Sequence, residues 1–225
     1  MKRGLNYKKG SGRWIRFVLY PVVLAALTIV IILAVVLPVL LPNRSALSMS
    51  FNGRSNGFMY GTNLFEQALA INKDEQSVKI SEIKYPTFGD QYGRLEIESV
   101  SIDTPVFFGD TGRQLKSGAG TYSVAHIPGQ GRPILMGAHS NTFFSGLEGV
   151  KIGNRISFKT NYGDYIYEVV LNENAKFDDE KYYDLDSEEE MLILYTCYQS
   201  APYGATEYRT FVHAKYISGP KLVDE

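Results

Sequence analysis

The chain of 225 residues contains a single cysteine, Cys197, and only three histidines. Cys197 ends the apolar run MLILYTC, residues 191–197, which has the composition of a β-strand. A cysteine becomes a nucleophile when its pKa is lowered from about 8.5, or when a base lies beside it. The alternative for a lone cysteine is a buried, inert thiol that packs as a small apolar residue.

The best candidate for the base is His139, because it ends the apolar strand RPILMGAH and precedes a polar loop. His126 lies just before a turn, and His213 lies within the last predicted strand. For each of the three, the alternative is a hydrogen-bonded structural histidine. Arg209 comes twelve residues after Cys197, and a hairpin between the two strands would bring its guanidinium to the cysteine's end of the sheet. The alternative for Arg209 is an exposed strand cation.

The elements that position these residues are predicted to be mostly β-strands. From residue 93 onward, segments rich in Ile, Val, Tyr and Phe alternate with Gly, Asn or acidic turns, as in NRISFKT, DYIYEVVL and EYRTFVHAKYI. Such short strands, with little helical pattern between them, favour a closed barrel or a sandwich over a parallel α/β sheet. A barrel also removes exposed strand edges.

The N-terminal segment predicts a membrane anchor. Residues 1–16 carry six Lys and Arg side chains and no acid, and residues 17–41 contain no charge. Those 25 residues would form a helix of roughly 37 Å, against a hydrocarbon core of about 30 Å. This is long for a cleaved signal peptide, so we expect a retained transmembrane helix. The positive-inside rule then places the N-terminus in the cytosol and residues 42–225 outside the membrane.

The rest of the sequence divides into a linker and one folded domain. Residues 42–80 are predicted to be an extracytoplasmic linker, with a short helix at residues 63–73, and residues 81–225 to be the folded domain that holds the candidate catalytic residues. A formal net charge of −1 and a pI near 6.3 give no electrostatic case for nucleic-acid binding. The sequence shows no metal-type Cys/His spacing and no glycine-rich phosphate loop.

The order His139, Cys197, Arg209, with LYTC at the cysteine and YRTFV at the arginine, resembles the sortases. These are membrane-anchored cysteine transpeptidases of Gram-positive bacteria, and the resemblance covers about residues 93–217. The chain departs from the family pattern at Ala138, usually Gly, and at Ile193, which replaces the first Thr of the TLxTC signature. The motif NTFFSGL and the compact layout are most similar to class D.

The resemblance implies a closed eight-stranded β-barrel with short helices and a two-step acyl transfer. Cys197 would attack the Thr–Gly bond of an LPxTG-like sorting signal on an exported protein, and the resulting thioester would pass to an amine of a cell-wall precursor or a pilin. His139 would act as the general acid and base, and Arg209 would contact the oxyanion or the peptide carbonyls. No cofactor is implied, although some class A sortases bind calcium near the loop that corresponds to the acidic residues 177–190. A solvated acidic loop is the alternative for that stretch.

Two other interpretations stay open at the level of sequence. One is a cysteine peptidase of another fold, although papain-like enzymes place Cys before His. Caspases place His roughly 50 residues upstream of Cys. The separation here is 58, but their QACxG signature is absent. The other is a membrane-tethered, non-enzymatic β-domain, whose structural cysteine would resist alkylation in the folded protein.

Overall fold

A computed structural model describes residues 12–40, 61–67, 76–197 and 207–224. The chain divides into two compact units, Met1–Ser45 and Ala46–Glu225. The described part of the first unit is the helix α1 (Gly12–Leu40), in which the side chains of residues 19–32 and 34 are described. Among all described residues, no helix meets the length and apolarity needed to cross a membrane.

The described part of the second unit contains ten strands and five short 3₁₀ helices. The strands are β1 (Ser77–Lys79), β2 (Gln91–Ile97), β3 (Ile102–Phe108), β4 (Ala119–Thr121), β5 (Ile134–Gly137), β6 (Arg155–Thr160), β7 (Asp164–Lys176), β8 (Met191–Cys197), β9 (Tyr208–Ser218) and β10 (Lys221–Val223). The 3₁₀ helices are Ile80–Glu82, Glu98–Val100, Gln114–Lys116, Leu147–Gly149 and Glu180–Tyr182.

Eight of these strands close into one barrel. The order around it is β2-β3-β4-β5-β8-β9-β7-β6, and β1 pairs in parallel with β10 in a separate two-stranded sheet. The prediction of a closed eight-stranded barrel with short helices is therefore confirmed, and the sandwich alternative is wrong. The chain passes from β5 to β8 through β6 and β7, so β5 and β8 lie side by side and parallel.

Strand β8 is apolar on both of its faces because both are covered. Leu192 and Leu194 point into the barrel, where they join the main core. Ile193 points outward into a second apolar cluster that includes Leu135 of β5 and Phe211 of β9. Alternate residues of a strand face opposite sides, so Tyr195 and Cys197 share the outer face with Ile193. The residues that carry chemistry therefore lie on the outside of the barrel wall.

The segment before the barrel differs from its prediction. Asn63 forms a β-bridge with Gln91, and the Leu64 N–H donates to the Gln91 carbonyl at 2.8 Å. The Glu66 N–H donates to Asn63 Oδ1 at 3.2 Å, as at the start of a helix, but the described residues that follow form a turn and not a helix. Leu64 is 1% exposed and packs in the main core, so pairing to the barrel overrides the local helix signal. Residues 68–73 of the predicted helix lie outside the described residues.

Candidate active site

The cysteine and the arginine are cross-strand neighbours. Strands β8 and β9 pair antiparallel, and the register sets Cys197 directly opposite Arg209. Directly opposite residues of an antiparallel pair project from the same face, with Cβ atoms about 5 Å apart. Cys197 is half-buried and has no disulfide partner. The thiol and the guanidinium therefore start from adjacent points on the outer wall of the barrel.

The histidine reaches the same end of the sheet from the other side of β8. The parallel register of β5 and β8 sets Gly137 opposite Tyr195. Beyond it, the Ala138 N–H donates to the Tyr195 carbonyl at 3.4 Å, and Thr196 Oγ1 donates to the Ala138 carbonyl at 2.7 Å. Two residues further along each strand, His139 comes level with Cys197. The three predicted residues thus lie at the adjoining ends of β5, β8 and β9.

The turn that begins at His139 is tied down on its far side. The His139 carbonyl accepts hydrogen bonds from the N–H groups of Thr142, at 3.3 Å, and Phe144, at 3.1 Å. Phe144 is itself buried in the main core. The His139 side chain is half-buried, and burial, followed by the nearby charge of Lys116, lowers its pKa below the ordinary value. A neutral imidazole is therefore available at neutral pH as an acceptor of a proton.

The other two histidines lie elsewhere. His126 is at the opposite end of β5, where its backbone N–H donates to the Pro133 carbonyl at 3.3 Å. His213 pairs with Ile193, four residues before the cysteine along β8, and its ring meets the Tyr182 ring edge-on at 6.1 Å. Burial lowers the pKa of both imidazoles. Neither is at the end of β8 that carries the thiol.

The guanidinium of Arg209 is placed by contacts at the start of β9. Its Nη1 donates to the Tyr208 carbonyl at 3.0 Å, and the guanidinium carbon Cζ lies 5.8 Å from the centre of the Phe177 ring. A cation over an aromatic face is favourable, and the planar fork of arginine can stack there while some N–H groups still point outward. This arrangement suits a donor that meets a carbonyl oxygen at Cys197.

A groove of about 410 Å³ extends from Arg209 over the outer wall. It is lined by Asp110, Tyr122, Leu135, Phe177, Tyr183, Leu185, Tyr195 and Arg209. Its floor is formed by Leu135 of β5 and Tyr195 of β8. A Cβ added at Gly137 would lie 2.5 Å from Cζ of Tyr195, so glycine is needed there for the ring to lie flat on β5. Burial, and next the charge of Asp110, raise the pKa of Tyr195 to about 12.

The sequence alone identified neither Tyr195 as a groove residue nor the groove itself. The available signal was the two-residue period of β8, which sets Tyr195 on the same face as Cys197. Asp110 and Tyr183 gave no such signal, because they come from loops that only the closed barrel brings to this wall.

The acidic stretch does not gather a cation site among its described residues. Nowhere in the described part of the chain do three His, Cys, Asp or Glu side chains converge as ligands. Glu190, at the end of the stretch, is buried and accepts hydrogen bonds from the N–H groups of Gly129 and Gly131 and from the Tyr167 hydroxyl. Its oxygens are thus committed to hydrogen bonds within the protein.

Comparison with known proteins identifies relatives of this chain. The sortase domain family matches residues 95–217, more than half of the chain. Sortase D of Bacillus subtilis (strain 168) is 27% identical over 147 residues, which are 65% of this chain and 74% of that protein. Sortase A of Bacillus anthracis is 34% identical over 80 residues, which are 34% of this chain and 38% of that protein.

Solved structures show the same barrel. A sortase D5 transpeptidase of Clostridium perfringens is 21% identical with a TM-score of 0.52, over 60% of this chain and 83% of that one. Sortase C of Clostridium perfringens, solved with the C-terminal cell wall sorting motif, is 24% identical with a TM-score of 0.53, over 59% of this chain and 73% of that one. At these identities the likeness establishes the fold.

Proposed function

The chain belongs to the sortase family of cysteine transpeptidases, and we propose that it cleaves an LPxTG-like sorting signal on exported proteins. Cys197, His139 and Arg209 are proposed as its catalytic residues. The observation that carries this assignment is the register of three neighbouring strands, which gathers a thiol, an imidazole and a guanidinium at one end of the barrel wall. The groove that begins at Arg209 offers an extended peptide a place to bind beside the thiol.

In the first step the Cys197 thiol passes its proton to neutral His139, and its sulfur attacks the carbonyl carbon of the Thr–Gly bond. The carbonyl oxygen takes up negative charge, and the N–H groups of Arg209 stabilise it more strongly than they stabilise the ground-state carbonyl. When the C–N bond breaks, the protonated form of His139 donates a proton to the departing glycine nitrogen. The acyl part of the substrate remains on Cys197 as a thioester.

In the second step an amine attacks the same carbonyl carbon. His139, now neutral, accepts a proton from the attacking nitrogen, a new amide bond forms and the C–S bond breaks. The sulfur leaves as a thiolate and takes back the proton that His139 now holds, which restores the enzyme for another cycle. We propose a cell-wall precursor or a pilin lysine as the amine; water in its place gives hydrolysis. Side chains supply the nucleophile, the proton carrier and the oxyanion donor, so this chemistry requires no cofactor.

We further propose that the enzyme is a single-pass membrane protein with its barrel outside the cell. This is supported by the uncharged residues 17–41 and by the six basic residues that precede them. An extracytoplasmic barrel would meet sorting signals as exported proteins emerge. The match to sortase D of Bacillus subtilis is consistent with class D, which stays a prediction.

The test is a direct search for the reaction. The full chain in detergent is incubated with a pool of LPxTG-type peptides and a primary amine, and the products are read by mass. We expect two new products, the released C-terminal fragment and an amide between the acyl fragment and the amine. Cys197→Ala should abolish both while its circular dichroism and melting curve match those of the wild type. If that variant turned over at more than a trace rate, the nucleophile would be misassigned.

A further inference from the structure

The groove carries opposite charges on its two sides. Arg209 opens β9, whereas Asp110 follows the end of β3 by two residues. Between β3 and β9 in the barrel lie β4, β5 and β8, which makes four strand spacings or roughly 19 Å of wall. Tyr195 of β8 lies on the floor between the two charges, and both side chains line the same cavity.

The backbone that presents Asp110 is closely held. Gly109 has a φ of 101°, and its N–H donates to the Thr121 carbonyl at 2.8 Å. A Cβ at Gly109 would lie 2.5 Å from the Phe88 ring, and one at Gly120 would lie 2.8 Å from Cα of Asp110. The carboxylate is half-buried, and within the described part of the chain no hydrogen bond or ion pair engages it. The backbone at Asp110 is thus fixed, and its side chain lines the groove.

The surroundings of Asp110 suit a long cationic side chain. Leu135, Leu185 and Tyr195 supply apolar and aromatic surface on which a methylene stem can lie while its charged end reaches the carboxylate. Water is partly excluded from such a groove, so a charge pair there is screened less than one on open surface. The field of Asp110 also reaches the floor, since it is the second cause of the raised pKa of Tyr195.

The opposite charge sets a direction. Arg209 lies across from Cys197, where the scissile carbonyl must sit, and it repels a cation at that point. The acyl side of the substrate stays attached to Cys197 through the thioester, so that side occupies the groove during both steps. A basic residue on the acyl side meets Asp110, whereas an acidic residue there meets a like charge.

Building on the proposed function, we propose that Asp110 is a specificity-determining residue that selects sorting signals with a lysine or arginine on the N-terminal side of the cleaved bond. Counted back from the cleaved bond, position x of the LPxTG-like signal is the first position that can carry a basic residue. The opposite charge at Arg209 helps to fix the direction in which the peptide lies. An acidic residue at the selected position should be disfavoured.

The experiment uses the full chain in detergent and peptides that differ only by Lys, Gln or Glu at each variable or flanking position before the cleaved bond. The measured quantity is kcat/KM for release of the C-terminal fragment. At one position we expect the wild type to prefer Lys over Glu by about tenfold, as for a partly exposed ion pair compared with a like-charge contact. Asp110→Asn should reduce this ratio to about twofold or less, and Asp110→Lys should invert it. The control Asp103→Asn removes an exposed acid of β3 that pairs with Arg94, and it should leave the ratio unchanged.

A second measurement separates binding from chemistry. Cys197→Ala protein should bind the Lys peptide more tightly than the Glu peptide, and the difference should shrink as salt is raised. Cleavage with no preference for Lys at any position, or a preference that survives Asp110→Asn, would overturn this inference and leave the proposed function standing. An effect of Asp110→Asn on amine transfer alone would also overturn it, because Asp110 would then serve the acceptor. Failure to cleave any peptide would overturn the proposed function and this inference together.

Discussion

The two ends of strand β8 are built in opposite ways. At its start, Glu190 is 7% exposed and its carboxylate is surrounded by donors: the N–H of Gly129 at 3.1 Å, the N–H of Gly131 at 3.0 Å and the Tyr167 hydroxyl at 2.6 Å. At its far end, seven residues later, the Cys197 thiol is half-exposed beside a groove. One end is closed and internally hydrogen-bonded, and the other is open to a substrate.

The closed end holds the starts of two strands at once. Gly129 and Gly131 belong to the turn that leads into β5, and Glu190 leads directly into β8. These strands are parallel neighbours, so one carboxylate fixes the starting points of both. The same two strands run to His139 and Cys197 at the open end. Rigidity and reactivity are therefore separated along β8, and substitutions at His139, Arg209 and Glu190 test this separation.

Among these three positions, the largest effect on activity is expected from His139 at the open end. His139→Ala should lower turnover by about 10²–10⁴, the range typical of a general acid or base. The matched control is His126→Ala, at the opposite end of β5, which should retain activity within about threefold. Steady-state cleavage of a sorting-signal peptide measures both. If His126→Ala lost comparable activity while His139→Ala kept its own, His126 and not His139 would be the base.

The next effect tests the role of Arg209. If its planar fork contacts a carbonyl whose charge grows in the transition state, Arg209→Ala should lose about 10²–10³ in turnover. Arg209→Lys keeps the charge but loses the fork, so it should lose much of the same activity, mainly in kcat. Arg155→Lys, at an exposed position that opens β6, is the control.

The competing role for Arg209 is purely electrostatic. If its positive field only favoured the thiolate of Cys197, lysine would serve nearly as well. Arg209→Ala would then recover activity as the pH rises and the thiolate forms. A pH–rate profile of the wild type, Arg209→Lys and Arg209→Ala decides between carbonyl contact and a purely electrostatic role. Near-full activity of the lysine variant would exclude the bidentate contact.

How much of this could be predicted from the sequence depends on whether the signal is local. Short alternating strands favoured a barrel or a sandwich, and the resemblance to the sortases implied the closed barrel. The strand ends pointed to the places where Cys197 and His139 lie. The helix predicted at residues 63–73 was wrong over its described part, because Leu64 pairs with Gln91 from a distant part of the chain. Glu190 ends an acidic run that looked like a solvated loop, and nothing local marks it as buried. The groove was missed for the same reason, since Asp110 and Tyr195 meet only when the barrel closes.

The smallest effect on activity, and the largest on stability, is expected at the closed end. Glu190→Gln keeps the shape of the side chain but removes the charge. Both carboxylate oxygens of Glu190 accept hydrogen bonds, and the amide nitrogen that replaces one of them cannot accept any. A buried donor left without its acceptor costs about 1–3 kcal/mol, and bonds to charged groups lie at the upper end of this range. We expect unfolding to become easier by about 2 kcal/mol, which lowers the Tm by roughly 4–8 °C for a domain of this size.

Because the lost contacts lie at the far end of β8 from Cys197, turnover well below the Tm should stay within about threefold of wild type. Glu189→Gln is the matched control, since Glu189 is the exposed neighbour of Glu190 and should melt as the wild type does. Tyr167→Phe removes one of the donors to the carboxylate, so its Tm should fall between those of Glu190→Gln and the wild type. Thermal melts and peptide cleavage at a low temperature give both quantities. If Glu190→Gln lost activity in parallel with His139→Ala while still fully folded, the two ends of β8 would be coupled and the separation between them would not hold.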